Sequence, residues 1–251
     1  MQNSDTKLNI VMASYNEEEN LEAAVNTAIE QAEKTGFDFN VLIVDDCSTD
    51  KTQTIGKSLA EKNDKVSYVR HEPNKGFGAS LTTGLEHAKS GYICVLPGDN
   101  EISPASVYDI LSSTGKADMI LPFTVNTELR TPARRFLSRL YTLICNTIYA
   151  TNVQYFNGPA LHRVDLLKNL TLNTNNFAFQ TEVIIELLER GYSFIDIPMY
   201  LQPKRHYRSS ALKLKNVFGT IGVMTKIYIM LLRSKGLKRL KQKTNRIYPS
   251  R

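Results

Sequence analysis

The chain has 251 residues, 42% of them hydrophobic and 22% charged, which supplies a sizeable core and excludes global disorder. Cys47, Cys94 and Cys145 lie far apart, with no CxxC or Cys/His cluster; this excludes a disulfide framework and a zinc site and fits a reducing cytosol. The net charge of +6 is uneven: no Asp or Glu follows Asp196 but 14 Lys or Arg do, leaving residues 1–196 at −8, so the basic character belongs to a tail that meets something anionic and not to a nucleic-acid-binding surface.

The N-terminal residues lack the apolar run and small-residue site of a signal peptide. No uncharged apolar stretch of about 18 residues occurs, so no membrane-spanning helix is expected. The first predicted strand covers 8–13. Asn16 is expected to open a helix with Glu17, Glu18 and Glu19 in its first turn, where negative charge suits the helix dipole, and to end near Gly36. A second buried strand at 41–44 runs into Asp45 and Asp46, with Ser48, Thr49 and Asp50 as candidate caps for the next helix. A third strand follows at 66–69. Lys75, Gly76, Phe77 and Gly78 then lead into a helix over about 79–89. The fourth strand, 92–96, ends at Pro97, Gly98 and Asp99, and Ser103 with Pro104 starts another helix. A fifth strand is expected at 118–121. Beyond it the sequence predicts a helix over 132–150 with arginines on one side, a helix over 178–190 containing Glu182, short strands at 194–197 and 200–202, and a basic helical segment from about 209.

Strands alternating with helices imply an α/β fold with a mostly parallel sheet covered on both faces. In such sheets ligands bind beyond the carboxyl ends of the strands. The polar residues gather there: Ser14, Asn16 and Glu17 after the first strand, Asp45 and Asp46 after the second, Asp99 after the fourth. The Asp pair reads either as a helix-capping turn or as acceptors for a nucleobase and ribose. Asp99 reads either as a turn residue or as a ligand for Mg2+ or Mn2+ bridging a diphosphate, with Glu101 as a second oxygen donor or a plain surface glutamate. Gly76 and Gly78 lack the third glycine of a dinucleotide site, since Leu81 stands in its place, and no phosphate-binding P-loop is present.

The strings Ser14-Tyr15-Asn16-Glu17-Glu18-Glu19-Asn20-Leu21, Val44-Asp45-Asp46-Cys47-Ser48-Thr49-Asp50-Lys51-Thr52 and Asn74-Lys75-Gly76-Phe77-Gly78 resemble the family 2 glycosyltransferases of GT-A fold. Within them the likeness is greatest to the dolichyl/polyprenyl-phosphate mannosyl- and glucosyltransferase branch, over roughly residues 8–210. The resemblance implies a catalytic domain over 1–210 and a basic amphipathic helical tail over 211–251. It implies that Ser14, Asn16, Glu17, Asp45 and Asp46, with Lys75 and Gly76, line a nucleotide-sugar pocket. Asp99 matches the last Asp of the family's metal-binding Asp-x-Asp, whose first position is here Pro97; Glu101 falls where the branch often has a metal-contacting Gln. Arg205 and Ser210 match the family's diphosphate-binding tail, with Arg208 where glycine is usual. Arg130, Arg134, Arg135 and Arg139 fall where arginines hold the acceptor phosphate, and a charged solvent face is the other reading. Glu182 falls where a carboxylate deprotonates a hydroxyl acceptor; a lipid phosphate needs no such base, and an exposed or capping glutamate is the plain alternative. His162 and His206 read as structural.

The segment 217–232 is apolar, interrupted by Lys226 and flanked by basic residues. It suits an interfacial helix on an anionic membrane surface, or packing on the catalytic domain or on a second subunit. The expected activity is inverting transfer of a sugar from GDP-mannose or a UDP-sugar to polyprenyl phosphate or a lipid-linked glycan of polysaccharide biosynthesis. The site would be peripheral, at the cytoplasmic face of the membrane. The alternative is a non-catalytic nucleotide-sugar-binding or scaffold protein, for which Pro97 speaks.

Overall fold

The computed structural model describes residues 6–170, 179–203 and residue 229. The strands are β1 (Lys7–Ser14), β2 (Asp38–Asp45), β3 (Val66–Arg70), β4 (Tyr92–Pro97), β5 (Met119–Thr124), β6 (Leu161–Arg163) and β7 (Phe194–Met199). The helices are α1 (Leu21–Thr35), α2 (Thr52–Lys62), α3 (Phe77–His87), α4 (Pro104–Ser112), α5 (Pro132–Tyr149), α6 (Val164–Lys168) and α7 (Phe179–Glu189). The strands form one sheet in the order β3-β2-β1-β4-β6-β5-β7. β1 pairs in parallel with β2 and β4, and β5 with β7; among the described strands only β6 runs antiparallel, between β4 and β5.

Alternation along β1 divides the core. Leu8, Ile10 and Met12 point to the face covered by α1 and α4, where Leu21, Val25, Ile110 and Leu111 are buried. Val11 and Ala13 point to the opposite face, against Leu81 of α3, Cys145 and Tyr149 of α5 and Val183 of α7. The three cysteines are free thiols.

Four boundaries differ from expectation. α1 begins at Leu21 and not at Asn16. Asn16 has a left-handed backbone (φ 56), and the Glu17 carbonyl accepts from the amides of Asn20 and Leu21 at 3.0 and 2.9 Å, so the acidic run is a loop ahead of the helix. α2 begins at Thr52 because Asp50 Oδ1 accepts the Thr52 amide at 2.9 Å, while Ser48 and Thr49 turn towards Asn16. α3 begins at Phe77, directly after Gly76 (φ 92). Residues 200–202 form no strand, only a bridge between Ile102 and Leu201. Arg205, His206, Ser210, the segment 217–232 apart from residue 229, and the boundary at 210 lie outside the described residues. Among the described residues no helix is long and apolar enough to cross a membrane.

Candidate active site

β2, β1 and β4 are neighbours in the sheet and parallel, so the residues after their carboxyl ends share one edge. The loops after β1 and β2 are laced together. The Asn16 amide donates to Ser48 Oγ at 2.9 Å, and Asn16 Oδ1 accepts the Thr49 amide at 2.8 Å. The Glu17 amide donates to Thr52 Oγ1 at 2.8 Å, the Glu18 amide to Asp50 Oδ2 at 3.1 Å, and the Lys51 amide to Glu18 Oε2 at 3.0 Å. The left-handed turn at Asn16 presents its side chain and amide to the same partner loop.

Asp45 is fully buried (0% exposed). Its Oδ1 accepts the Ser48 amide at 2.8 Å; its Oδ2 accepts from Tyr68 Oη at 2.7 Å and Arg70 Nη1 at 2.8 Å. Burial alone would raise this carboxyl, but hydrogen bonds from Ser48 and Tyr68 and the Arg70 charge outweigh it and hold Asp45 below the ordinary carboxylate range. Asp46 is also buried. One oxygen faces His71 Nδ1 at 2.9 Å and accepts the Lys75 amide at 2.8 Å; the other accepts the Gly76 amide at 2.8 Å. The Asn74 side chain donates to the Asp46 carbonyl at 2.8 Å. His71 Nε2 meets Thr83 Oγ1 of α3 at 2.8 Å, which fixes the ring between Asp46 and α3. In the sequence His71 is only a lone histidine at a strand end, with no motif to mark it.

Neither carboxylate caps a helix; both brace the walls of the edge. Ser14 is buried under Gly98, whose missing Cβ would lie 2.5 Å from Ser14 Oγ, and its carbonyl accepts the Asp46 amide at 2.8 Å. Lys75 is exposed above the clamp. The first residue of α7, Phe179, lies against Phe77 with ring centroids 5.8 Å apart, so α7 starts beside the 75–77 loop.

Pro97 fits β4 without cost to the ladder. The Gly98 amide donates to Ala13 of β1 at 2.8 Å, so the preceding backbone nitrogen faces away from β1. On that side β6 pairs only with Tyr92, Ile93 and Cys94, and a missing N–H there breaks no strand pairing. Asp99 and Glu101 are both half-buried, and Asp99 Oδ1 accepts the Glu101 amide at 3.0 Å. Gln202 braces this loop: its amide donates to the Glu101 carbonyl at 2.7 Å and its side chain to Asn100 and Ile102. Among the described residues no group of three or more His, Cys, Asp or Glu could hold a metal. Two hard carboxylates on one braced loop nevertheless fit a cation such as Mg2+, which takes one or two carboxylates and completes its shell with phosphate and water.

The four arginines do not share one environment. Arg130 is 9% exposed. Its Nη1 donates to Tyr155 Oη at 3.1 Å, its guanidinium lies 5.7 Å from the Tyr155 ring, and its Nε is buried with no hydrogen-bond partner among the described residues. Arg134 and Arg135 are half-buried and Arg139 is exposed on α5. Glu182 lies in the first turn of α7 and is 3% exposed, so the plain alternative of an exposed glutamate does not hold, because the helix is buried on nearly every side. Its neighbour Glu186 is raised by burial and then by the Glu182 charge. His162 is structural, as expected. It is buried, accepts from Gln180 at 2.8 Å, and burial pushes its pKa down to about 3.

The family described as Glycosyl transferase family 2 matches residues 9–187. A dolichyl-phosphate beta-glucosyltransferase of Trichomonas vaginalis is 27% identical over 152 residues, which cover 55% of this chain and 47% of that protein. The matches span 33% to 47% of the length of the curated relatives. Among solved structures, glucosyl-3-phosphoglycerate synthase from Mycobacterium tuberculosis in complex with Mn2+, uridine diphosphate and phosphoglyceric acid aligns with a TM-score of 0.60 at 15% identity, covering 92% of this chain and 79% of that one. S. aureus TarS 1-349 in complex with UDP-GlcNAc aligns with a TM-score of 0.59 at 19% identity, covering 90% and 67%. At such identities the likeness speaks for the fold, which is the GT-A fold.

Proposed function

The chain belongs to Glycosyl transferase family 2, and from that premise we propose that it transfers a sugar, with inversion, from a nucleoside-diphosphate sugar to the phosphate of a polyprenyl lipid at the cytoplasmic face of a membrane. The observation that carries this reading is the convergence of the laced 14–18 and 48–52 loops, the Asp46 clamp on Lys75 and Gly76, and the Asp99–Glu101 loop at one sheet edge. The walls are preorganised, so the donor meets fixed groups and little binding energy is spent on ordering them. The complexes of the two structural neighbours with uridine diphosphate and UDP-GlcNAc support a nucleotide-sugar donor.

Asp99 and Glu101 would hold a divalent cation, and the Mn2+ in the mycobacterial synthase supports this. When bound, that cation neutralises the departing diphosphate. Arg205 and Ser210 take the diphosphate in the family resemblance.

Arg130 supports the choice of an anionic acceptor. A buried guanidinium with no carboxylate partner among the described residues is costly in isolation, and a phosphate satisfies it with paired N–H donors. Arg134, Arg135 and Arg139 follow it along α5 and serve the same acceptor. An anionic phosphate oxygen attacks the sugar carbon as the bond to the diphosphate breaks. It carries no proton to remove, so Glu182 is needed as a base only for a hydroxyl acceptor.

The test is release of nucleoside diphosphate from GDP-mannose and UDP-glucose in the presence of polyprenyl phosphate, with and without Mn2+. Turnover that requires the metal and is lost in Asp99→Asn is the expected result. Donor binding with no turnover for any donor–acceptor pair would instead favour a non-catalytic nucleotide-sugar-binding protein, the reading that Pro97 supports.

A further inference from the structure

β2, β3 and α3 meet at one side chain, that of His71. Its amide donates to the Asp45 carbonyl at 2.8 Å, which pins the residue where β3 ends. Its ring is buried (3% exposed) between two partners: Nδ1 lies 2.9 Å from Asp46 Oδ1, and Nε2 lies 2.8 Å from Thr83 Oγ1. Asp46 is in turn tied to β1, since its amide donates to the Ser14 carbonyl at 2.8 Å. Thr83 stands beside Gly84, where a Cβ would collide with Val11 of β1. α3 is therefore pressed onto the sheet, and the Thr83 hydroxyl is a fixed post. An apolar side chain of like volume would fill the same space, and ring nitrogens are costly to bury unless both are bonded. The two bonds are what the imidazole adds.

The proton positions follow from the partners. The Asp46 carboxylate accepts the Lys75 amide on Oδ1 and the Gly76 amide on Oδ2, each at 2.8 Å. A carboxylate that accepts on both oxygens meets the ring as an acceptor. Nδ1 therefore carries a proton whatever the charge of the ring, and in the neutral ring Nε2 accepts from the Thr83 hydroxyl. The carboxylate is held from two sides, by the ring and by the loop ahead of α3. That loop turns at Gly76 (φ 92) and carries Lys75 exposed over the sheet edge. We propose that His71 is a positioning residue for the donor: through Asp46 it joins the post on α3 to the Lys75–Gly76 backbone, and so holds the Lys75 ammonium where it meets an anionic nucleoside-diphosphate sugar.

The carboxylate–imidazole–hydroxyl order is also that of a nucleophilic relay. Thr83 lies inside α3, where backbone amides are spent on helix bonds and not on an oxyanion. The Asp46 oxygens are themselves engaged by Lys75 and Gly76, so the chain of bonds runs from the hydroxyl to the loop. The role of His71 rests on the proposed transfer from a nucleotide sugar, and part of its test needs no ligand.

Two amide variants separate the two ends of the ring. In His71→Asn the side-chain nitrogen stands near the Nδ1 position and keeps the bond to Asp46; in His71→Gln it stands near Nε2 and keeps only Thr83. In the full-length protein, with GDP-mannose or UDP-glucose as donor and polyprenyl phosphate as acceptor, the donor KM is expected to rise at least about tenfold in His71→Gln and to stay within about threefold in His71→Asn. The acceptor KM stays unchanged in both. Without any ligand, ring nitrogen chemical shifts are expected to show His71 protonated on Nδ1. Hydrogen exchange at the Lys75 and Gly76 amides is expected to speed at least about tenfold in His71→Gln and not in His71→Asn. A neutral ring protonated on Nε2, or unchanged exchange in His71→Gln, would overturn the link from His71 to the loop. Equal donor KM values in the two variants, with a melting temperature lowered alike in both, would make His71 a packing residue and overturn its positioning role alone. No donor binding or turnover by the unsubstituted protein would overturn the transfer itself, and this role with it.

Discussion

The loops after β1 and β2 and the segment from Arg130 through α5 are both rich in charge, and they treat it in opposite ways. In the first region the buried carboxylates have their partners inside the protein: Asp45 accepts three hydrogen bonds and Asp46 three contacts, and the two loops are tied amide to side chain. In the second, a buried guanidinium holds one tyrosine hydroxyl and its Nε has no partner among the described residues, and an apolar helix face is exposed. A satisfied network is a frame, and an unsatisfied one is completed from outside. Fixed walls suit a donor that must be oriented, whereas a guanidinium of this kind suits an anionic ligand.

Replacing a group in the frame is expected to cost stability; replacing one in the open region is expected to cost function alone. The largest effect is expected for Asp45→Ala, which strips Arg70, Tyr68 and the Ser48 amide of their acceptor. A loss of about 3 kcal/mol in urea denaturation is expected, and an unchanged midpoint would show that the frame does not depend on this carboxylate. Arg130→Met runs the other way. It removes an unpaired buried cation, so stability stays level or rises, while transfer to a lipid phosphate falls by about 2 kcal/mol or more, roughly thirtyfold. A destabilised Arg130→Met would place Arg130 in the frame. Gly98→Ala presses a methyl onto Ser14 and the Ala13 carbonyl, an overpacking of about 1–3 kcal/mol read as a lowered melting temperature.

The smallest effect near neutrality is that of His162. Its folded pKa of about 3 lies below the ordinary 6.5 because of burial. The unfolded chain therefore takes up a proton below pH 6.5 that the folded chain refuses until about 3. Stability from this residue is complete above 6.5 and declines at about 1.4 kcal/mol per pH unit as the pH falls through that window. His162→Gln is expected to flatten this part of the stability–pH curve, and an unaltered slope would assign the acid sensitivity elsewhere.

Much of the frame was legible because it is local. β1, β2 and β4 are apolar runs closed by polar residues, and α5 shows its period over 18 residues. β6 escaped because three residues carry no period; only pairing with β4 and β5 defines it. The acidic run after Asn16 looked like a helix start, but the pull of Ser48 and Thr49 on Asn16, more than thirty residues away, holds it in a loop. The burial of Glu182 was readable in principle, since a helix as apolar as α7 is covered on all sides. That of Arg130 was not, because it depends on Tyr155 arriving from beyond α5. His71 stayed hidden because a lone histidine has no motif and takes its role from Asp46 and Thr83.

The division between a donor frame and an acceptor anchor is tested most directly by steady-state kinetics of Arg130→Met with polyprenyl phosphate and the cognate nucleotide sugar. The account predicts a raised KM for the lipid phosphate and an unchanged KM for the donor. A donor KM that rises with it, or an acceptor KM equal to that of the unsubstituted protein, would contradict the account.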